Sequence, residues 1–238
     1  MHALREVFHA FFDPTQFRQA LPDVWSGFQI NVQMMLIAEA LVLALALLLA
    51  IVRGLPGRGA KPLRGLAILY TDFFRGTPLT IVALMFILGI PGLQIHGLSG
   101  YSNTVYGIAA LTVVYTAYVT EVYRAGIESV HGSQRMAARS LGLSYAQALR
   151  YVVLPQAIRR VIPPLLNDFI GLQKDTAIIG AIGVTEAAAQ ATNFANTYFN
   201  YTGYFVGAVF FIFLTIPLAR FTDHLIAERE RRERAFAV

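Results

Sequence analysis

Four ionisable side chains stand where a lipid-embedded helix would shield them from water: Glu39, Glu121, Lys174 and Asp175. A charge at bilayer depth is costly, so each marks either a pairing partner or a polar path. Glu39 lies just before the uncharged run Ala40–Val52. It lines a path or pairs with an Arg or Lys of a neighbouring helix. Glu121 is three residues before Arg124, the spacing of an i,i+3 surface pair, with path lining as the alternative. Lys174 and Asp175 are adjacent, about 100° apart on a helix, so at least one points at another helix, a water-filled cavity or a solute. Charged groups that line a path act by holding a polar solute. That is binding chemistry. Catalysis has no comparable set: no nucleophile stands with a base, and His2, His9, His96, His131 and His224 lack metal-ligand spacing. Cysteine is absent, which removes thiolate metal sites and cysteine nucleophiles.

The elements that must position these residues are apolar. Hydrophobic residues make up 56% of the 238, charged residues only 14%, and mean hydropathy is +0.55. Soluble domains carry about 25% charged residues. A span needs roughly 20 apolar residues to cross a core about 30 Å thick. Five stretches meet that need: Phe28–Val52, Leu63–Ile90, Thr104–Val122, Val161–Val184 and Thr202–Ala219. Arg75 interrupts the second; Asn167, Asp168, Lys174 and Asp175 interrupt the fourth. The pattern predicts an all-α membrane bundle of about five helices. Met1–Pro14 lack the basic start and cleavage site of a secretory leader.

Arg and Lys collect in alternate connections: Arg53, Arg58, Lys61 and Arg64; then Arg124, Arg135, Arg139, Arg150, Arg159 and Arg160; then Arg220, Arg229, Arg231, Arg232 and Arg234. The intervening segments Gly89–Asn103 and Thr185–Tyr201 have none. Basic loops stay cytoplasmic, which predicts an external N-terminus and a cytoplasmic C-terminus. The surplus of +5 is therefore a topology signal, and nucleic acid is excluded as a partner. Residues 1–24 read as an interfacial segment, with Leu4, Val7, Phe8, Phe11 and Phe12 at helical spacing. Residues 25–226 form the membrane domain and 227–238 a charged cytoplasmic tail.

The connection 124–160 is far longer than a bare link. Ser133 fits an N-cap for a helix Gln134–Leu141 ended by Gly142. Ser144-Tyr-Ala-Gln147 has capping-box spacing for a second helix that stops before Pro155. Insertion in a membrane needs no such platform. Docking a cytoplasmic partner does.

Within this loop Gln134, Ala137, Ala138, Leu141, Gly142, Leu154, Pro155, Gln156, Ala157, Ile162 and Pro163 follow one another in the order and spacing of a known signature. With Arg75-Gly-Thr-Pro78, Lys174-Asp-Thr176 and Ile182-Gly-Val184, the chain from about residue 25 to 226 resembles the permease subunits of binding-protein-dependent ABC importers, in the subgroup for histidine, glutamine, arginine and glutamate. It departs at Ser133, where the pattern has Gly, and at Met136, where it has Glu. The resemblance implies a type I importer permease of a bacterial inner membrane. It implies partners: ATP-binding subunits, a second permease copy or paralogue, an extracytoplasmic solute-binding protein, and an amino acid as substrate. It implies an ATPase-coupling helix built from Ser133, Gln134, Arg135, Met136, Ala137, Ala138, Leu141 and Gly142. No Walker motif occurs, so ATP and Mg belong to the partner ATPase and this chain needs no cofactor and is no enzyme. A self-sufficient secondary transporter or channel is the alternative, but paired repeats and more spans are usual there.

Overall fold

The computed structural model describes residues 2–55 and 57–235, and among them it is helical with no strand. The chain runs through α1 (His2–Phe12), α2 (Pro14–Gly54), α3 (Lys61–Gly76), α4 (Leu79–Leu84), α5 (Ile90–Gly92), α6 (Asn103–Glu128), α7 (Gly132–Ser140), α8 (Tyr145–Ala148), α9 (Leu154–Gly180), α10 (Ala187–Tyr198) and α11 (Thr202–Ala235). Among the described residues, Glu6–Gly54, Asn103–Glu128 and Thr202–Glu228 are long and apolar enough to cross a bilayer. A fourth span results if the broken pair Lys61–Gly76 and Leu79–Gly92 counts as one. α9, the remaining stretch expected to span, is long enough at 27 residues. Its polar residues keep it out of that group, and two of them, Gln173 and Thr176, are buried within protein.

Proline governs the breaks. α3 stops at Gly76 and α4 starts after Pro78, so Arg75-Gly-Thr-Pro78 interrupts the helix, the residue before a proline being disfavoured in helical conformation. Two short π-helical turns, Met85–Gly89 and Leu149–Val153, each end two residues before a proline, Pro91 and Pro155. A proline has no N–H and crowds the carbonyl four residues back. The wider i→i+5 turn moves that carbonyl aside. The second loop helix therefore does not stop before Pro155, as expected from sequence; it continues through the π turn into α9.

The described residues fall into two units. The first comprises residues up to Ala40, Thr77–Val113 and Ile170–Leu218. Its core sets Ala20, Val24 and Phe28 of α2, four residues apart, against Ala187, Ala191 and Phe194 of α10 and Val206 of α11. Phe28 stacks on Phe210 at 5.4 Å and meets Phe211 edge-on at 5.3 Å. Each such pair adds about 0.5–1.5 kcal/mol beyond its burial. α1 is tied to this unit as well as amphipathic. Tyr201 donates its N–H to the Ala10 carbonyl at 2.7 Å, and the Phe12 ring meets Phe205 at 4.8 Å. Phe8 and Phe11 stay exposed.

The second unit comprises Leu41–Gly76, Val114–Phe169 and the chain from Ala219. α6 and α9 meet at Gly126, where a Cβ would collide with Val161 Cγ1. Val130, Val153 and Ala157 form a small buried cluster beside it.

Candidate functional site

α7 is nine residues long, shorter than a helix that persists alone in water, so its ends and its packing must hold it. At the start, His131 is the N-cap and its ring accepts from Ser133 N–H at 3.3 Å. This corrects the expectation that Ser133 caps the helix: Ser133 is the second helical residue, its hydroxyl 2.8 Å from the same imidazole nitrogen. It also moves the third helical position from Met136 to Gln134. A Glu at 136 would therefore lie too far along to reach back to the cap, and Met136 leaves the helix start untouched.

At the other end Gly142 adopts φ +86°, Gly142 N–H donates to the Arg139 carbonyl at 3.0 Å, and Leu143 N–H donates to Ala138 at 3.2 Å. That is a Schellman ending, the left-handed turn that glycine alone makes without strain. The next helix opens with the reciprocal bonds expected of Ser144 and Gln147, at 2.8 and 3.2 Å. α7 rests on α8 and the π turn, and Ala138 is the side chain it buries there, 5% exposed. Ala138 is thus no surface for a partner. Ala137, Ser133 and Gln134 are exposed, Arg135 is half-buried, and Met136 and Leu141 stand out at 66% and 82% exposure. Two bare apolar side chains thus stand exposed on a helix held at both ends.

Of the ionisable residues, Glu121 is committed to ion pairing. Arg53 and Arg124 both donate to it, Arg124 at 2.7 Å, and Arg124 also reaches Glu128. Arg53 further donates to Thr71 Oγ1 at 2.8 Å, so the group ties α2, α3 and α6 within the second unit. Sequence spacing identified Arg124; Arg53 is 68 residues away and had no local signal. Glu39, Lys174 and Asp175 belong to the first unit. Glu39 and Asp175 are half-buried and Lys174 is exposed, in keeping with the divergent directions of adjacent helical residues.

The first unit also holds a polar cluster that sequence reading missed. Asn31 Nδ2 donates to Thr176 Oγ1 at 2.9 Å and to Glu186 Oε2 at 2.8 Å, while Asn31 Oδ1 accepts from Ala187 N–H at 3.0 Å. Glu186 caps α10 through Ala189 N–H at 2.8 Å and is fully buried. Burial pushes its carboxyl above the usual carboxylate range. Gly27 and Gly180 make its seat: a Cβ on Gly27 would lie 2.6 Å from the Glu186 carbonyl carbon, and one on Gly180 would strike the carboxylate itself. The only hint in the sequence was a Glu opening the apolar run after Thr185. Among the described residues no cluster of His, Cys, Asp or Glu is arranged for a metal.

Residues 43–231 match the model of a family described as binding-protein-dependent transport system inner membrane component. A probable glutamine ABC transporter permease protein of Bacillus subtilis is 37% identical over 72% of this chain and 78% of its own length. A glutamate/aspartate import permease protein of Escherichia coli is 32% identical over 71% of each. A glutamate transport system permease protein of Corynebacterium efficiens is 34% identical over 83% of this chain and 90% of its own. Among solved structures, an amino acid ABC transporter crystallised with histidines superposes with a TM-score of 0.78 at 30% identity, covering 88% of this chain and 94% of that one. The MetNI methionine ABC transporter shares the fold, with a TM-score of 0.66 at 20% identity.

Proposed function

This chain belongs to the family of binding-protein-dependent transport system inner membrane components, and from that membership we propose that it is the permease of an ATP-driven importer of polar amino acids. The chain forms the translocation path, pairs with a second permease and receives solute from an extracytoplasmic binding protein. ATP and Mg are held by separate ATPase subunits, and no hydrolysis takes place here. The N-terminus faces outward and the C-terminus the cytoplasm. The observation that carries the coupling role is α7: a helix fixed at both ends, with Met136 and Leu141 bare at its surface. Displacement from nucleotide-driven closure must cross a non-covalent joint, and a short rigid helix transmits it where a floppy loop would not.

The substrate class is supported by the relatives, whose names specify glutamine, glutamate and aspartate. The path residues are Glu39, Lys174 and Asp175. Glu121 is better accounted for by its two arginine partners. Affinity purification of the chain should recover an ATPase. Proteoliposomes loaded with ATP should accumulate glutamine or glutamate only when the cognate binding protein is supplied. Uptake driven by an ion gradient with no ATPase present would overturn the reading. Lys174→Gln or Asp175→Asn should alter uptake with the complex intact; normal transport by both would move the path elsewhere.

A further inference from the structure

From Ser129 to Asn167 the chain carries Arg135, Arg139, Arg150, Arg159 and Arg160, with no Lys, Asp or Glu. Among the described residues none of these arginines pairs with a carboxylate. Arg160 is occupied by the Ser129 carbonyl, while Arg139, Arg150 and Arg159 are exposed. Orientation in a membrane depends on Lys and Arg and is nearly indifferent to Asp and Glu. Topology therefore gives no reason for so long a run without a carboxylate. An unrelieved positive field calls for an anionic partner.

The start of α9 shows what kind of partner. Val153, Ala157 and Val161 recur every fourth residue and are buried, the first two in the cluster with Val130. Leu154, Ile158 and Ile162, each one position further on, form a second stripe, and all three are exposed. Tyr151, just before Leu154, is exposed as well, and the Arg150 guanidinium lies over its ring at 5.7 Å. Arg159 adjoins Ile158. The helix start is thus apolar on two faces, and protein covers only one of them. The bare stripe leads without a break into Val161–Val184, the fourth of the expected spans. Arginines beside an apolar stripe, with an aromatic ring at its polar edge, are the composition of a segment at a membrane surface.

We propose that this face binds an anionic phospholipid of the cytoplasmic leaflet, with the acyl chains against Leu154, Ile158 and Ile162 and the phosphate held by Arg150 and Arg159. A guanidinium meets phosphate oxygens in bidentate geometry. A phospholipid brings apolar tails and an anion together, side by side as the helix presents their counterparts. An acidic protein surface would satisfy the arginines and leave the isoleucines bare. The binding also bears on α7, because Ala138 is buried where α7 packs on the π turn that carries Arg150 and Tyr151. Holding that turn at the leaflet fixes the base of the coupling helix. This last consequence rests on the function proposed above; the binding itself does not.

The test offers the full chain, purified in detergent, an equimolar mixture of phosphatidylglycerol and phosphatidylcholine, and counts the retained lipids by native mass spectrometry. Wild type should retain phosphatidylglycerol in preference. Arg150→Gln combined with Arg159→Gln should lower the ratio of phosphatidylglycerol to phosphatidylcholine about tenfold or more, at roughly fivefold per arginine. Arg150→Lys combined with Arg159→Lys keeps the charge and should keep most of the preference. Arg220→Gln, outside this face, should leave it unchanged. If the double glutamine chain fails to fold, the two single substitutions decide the outcome, each with a drop of about fivefold. The proposal is overturned if wild type shows no preference, or if the preference survives both glutamine substitutions. It is equally overturned if those substitutions leave lipid retention unchanged but abolish recovery of the ATPase or of a second copy of the chain, since the face then belongs to a protein. Failed uptake with the lipid preference intact would fault the transport reading and leave this one standing.

Discussion

Replacing Gly142 by valine should uncouple the chain from its ATPase without disturbing membrane insertion. The residue holds φ +86°, where a side chain costs about 1–2 kcal/mol and a β-branched one the most. To escape that cost the backbone must leave the left-handed turn, and the two bonds that depend on it, Gly142 to Arg139 and Leu143 to Ala138, are lost. At about 1 kcal/mol each, these bring the change to roughly 3–4 kcal/mol. A nine-residue helix has little reserve against a perturbation of that size. At about 1.4 kcal/mol per factor of ten, the ordered form of α7 should become at least a hundredfold less populated. Hydrogen exchange of residues 132–143 should rise accordingly, and ATP-dependent uptake should fall while ATPase activity is no longer stimulated by the binding protein. Gly142→Asn is the control, because asparagine tolerates the left-handed region and should retain most coupling. If valine left both the exchange protection and the coupling unchanged, the mechanical role assigned to α7 would be wrong.

Four further outcomes separate surface from core and test the topology. Leu141→Asp should leave the thermal midpoint of the purified chain within a few degrees of wild type yet abolish ATPase co-purification, whereas Ala138→Asp, at a buried position, should lower the midpoint itself. Gly126→Ala drives a methyl into Val161 and should destabilise by about 1–3 kcal/mol, read as a lower melting temperature that Val161→Ala partly restores. Glu121→Gln strands the largely buried Arg53 guanidinium at a cost of about 3 kcal/mol, and Arg53→Met in the same chain should recover part of it; full additivity of the two would argue against the pair. A reporter fused after Arg234 should read as cytoplasmic and one inserted near Ser99 or Asn196 as external, and the reverse result would invalidate the charge-based orientation.

Features of this chain that depend on a few neighbouring residues are legible in its sequence. The break at Gly76–Pro78, the left-handed stop at Gly142 and the capping box of Ser144 and Gln147 follow from local backbone chemistry, and the structure contains all three. The apolar stretches are legible for the same reason, since lipid imposes a length and a composition on each span separately. His131 was missed as the cap because a neighbouring Ser had the better propensity, and only the placement of the imidazole decides which oxygen or nitrogen meets the free N–H groups. The π turn that carries the chain past Pro155 was missed because the relief of a proline by a wider turn has no signal of its own in composition.

Tertiary structure decided the rest. Asn31 and Glu186 are 155 residues apart, Arg53 and Glu121 68, and neither pair shares a helix face that periodicity could reveal. The inward turn of Ala138 depends on which side of α7 meets the π turn, and the bare stripe of Leu154, Ile158 and Ile162 on which face of α9 the cluster around Val153 and Ala157 covers. The sequence alone settled the break before Pro78, the stop at Gly142 and the apolar stretches, because those are energies of adjacent residues with solvent or bilayer. Which charges are neutralised, which small residues are buried and which apolar face stays bare are energies between distant residues, and they have no value until the helices have packed.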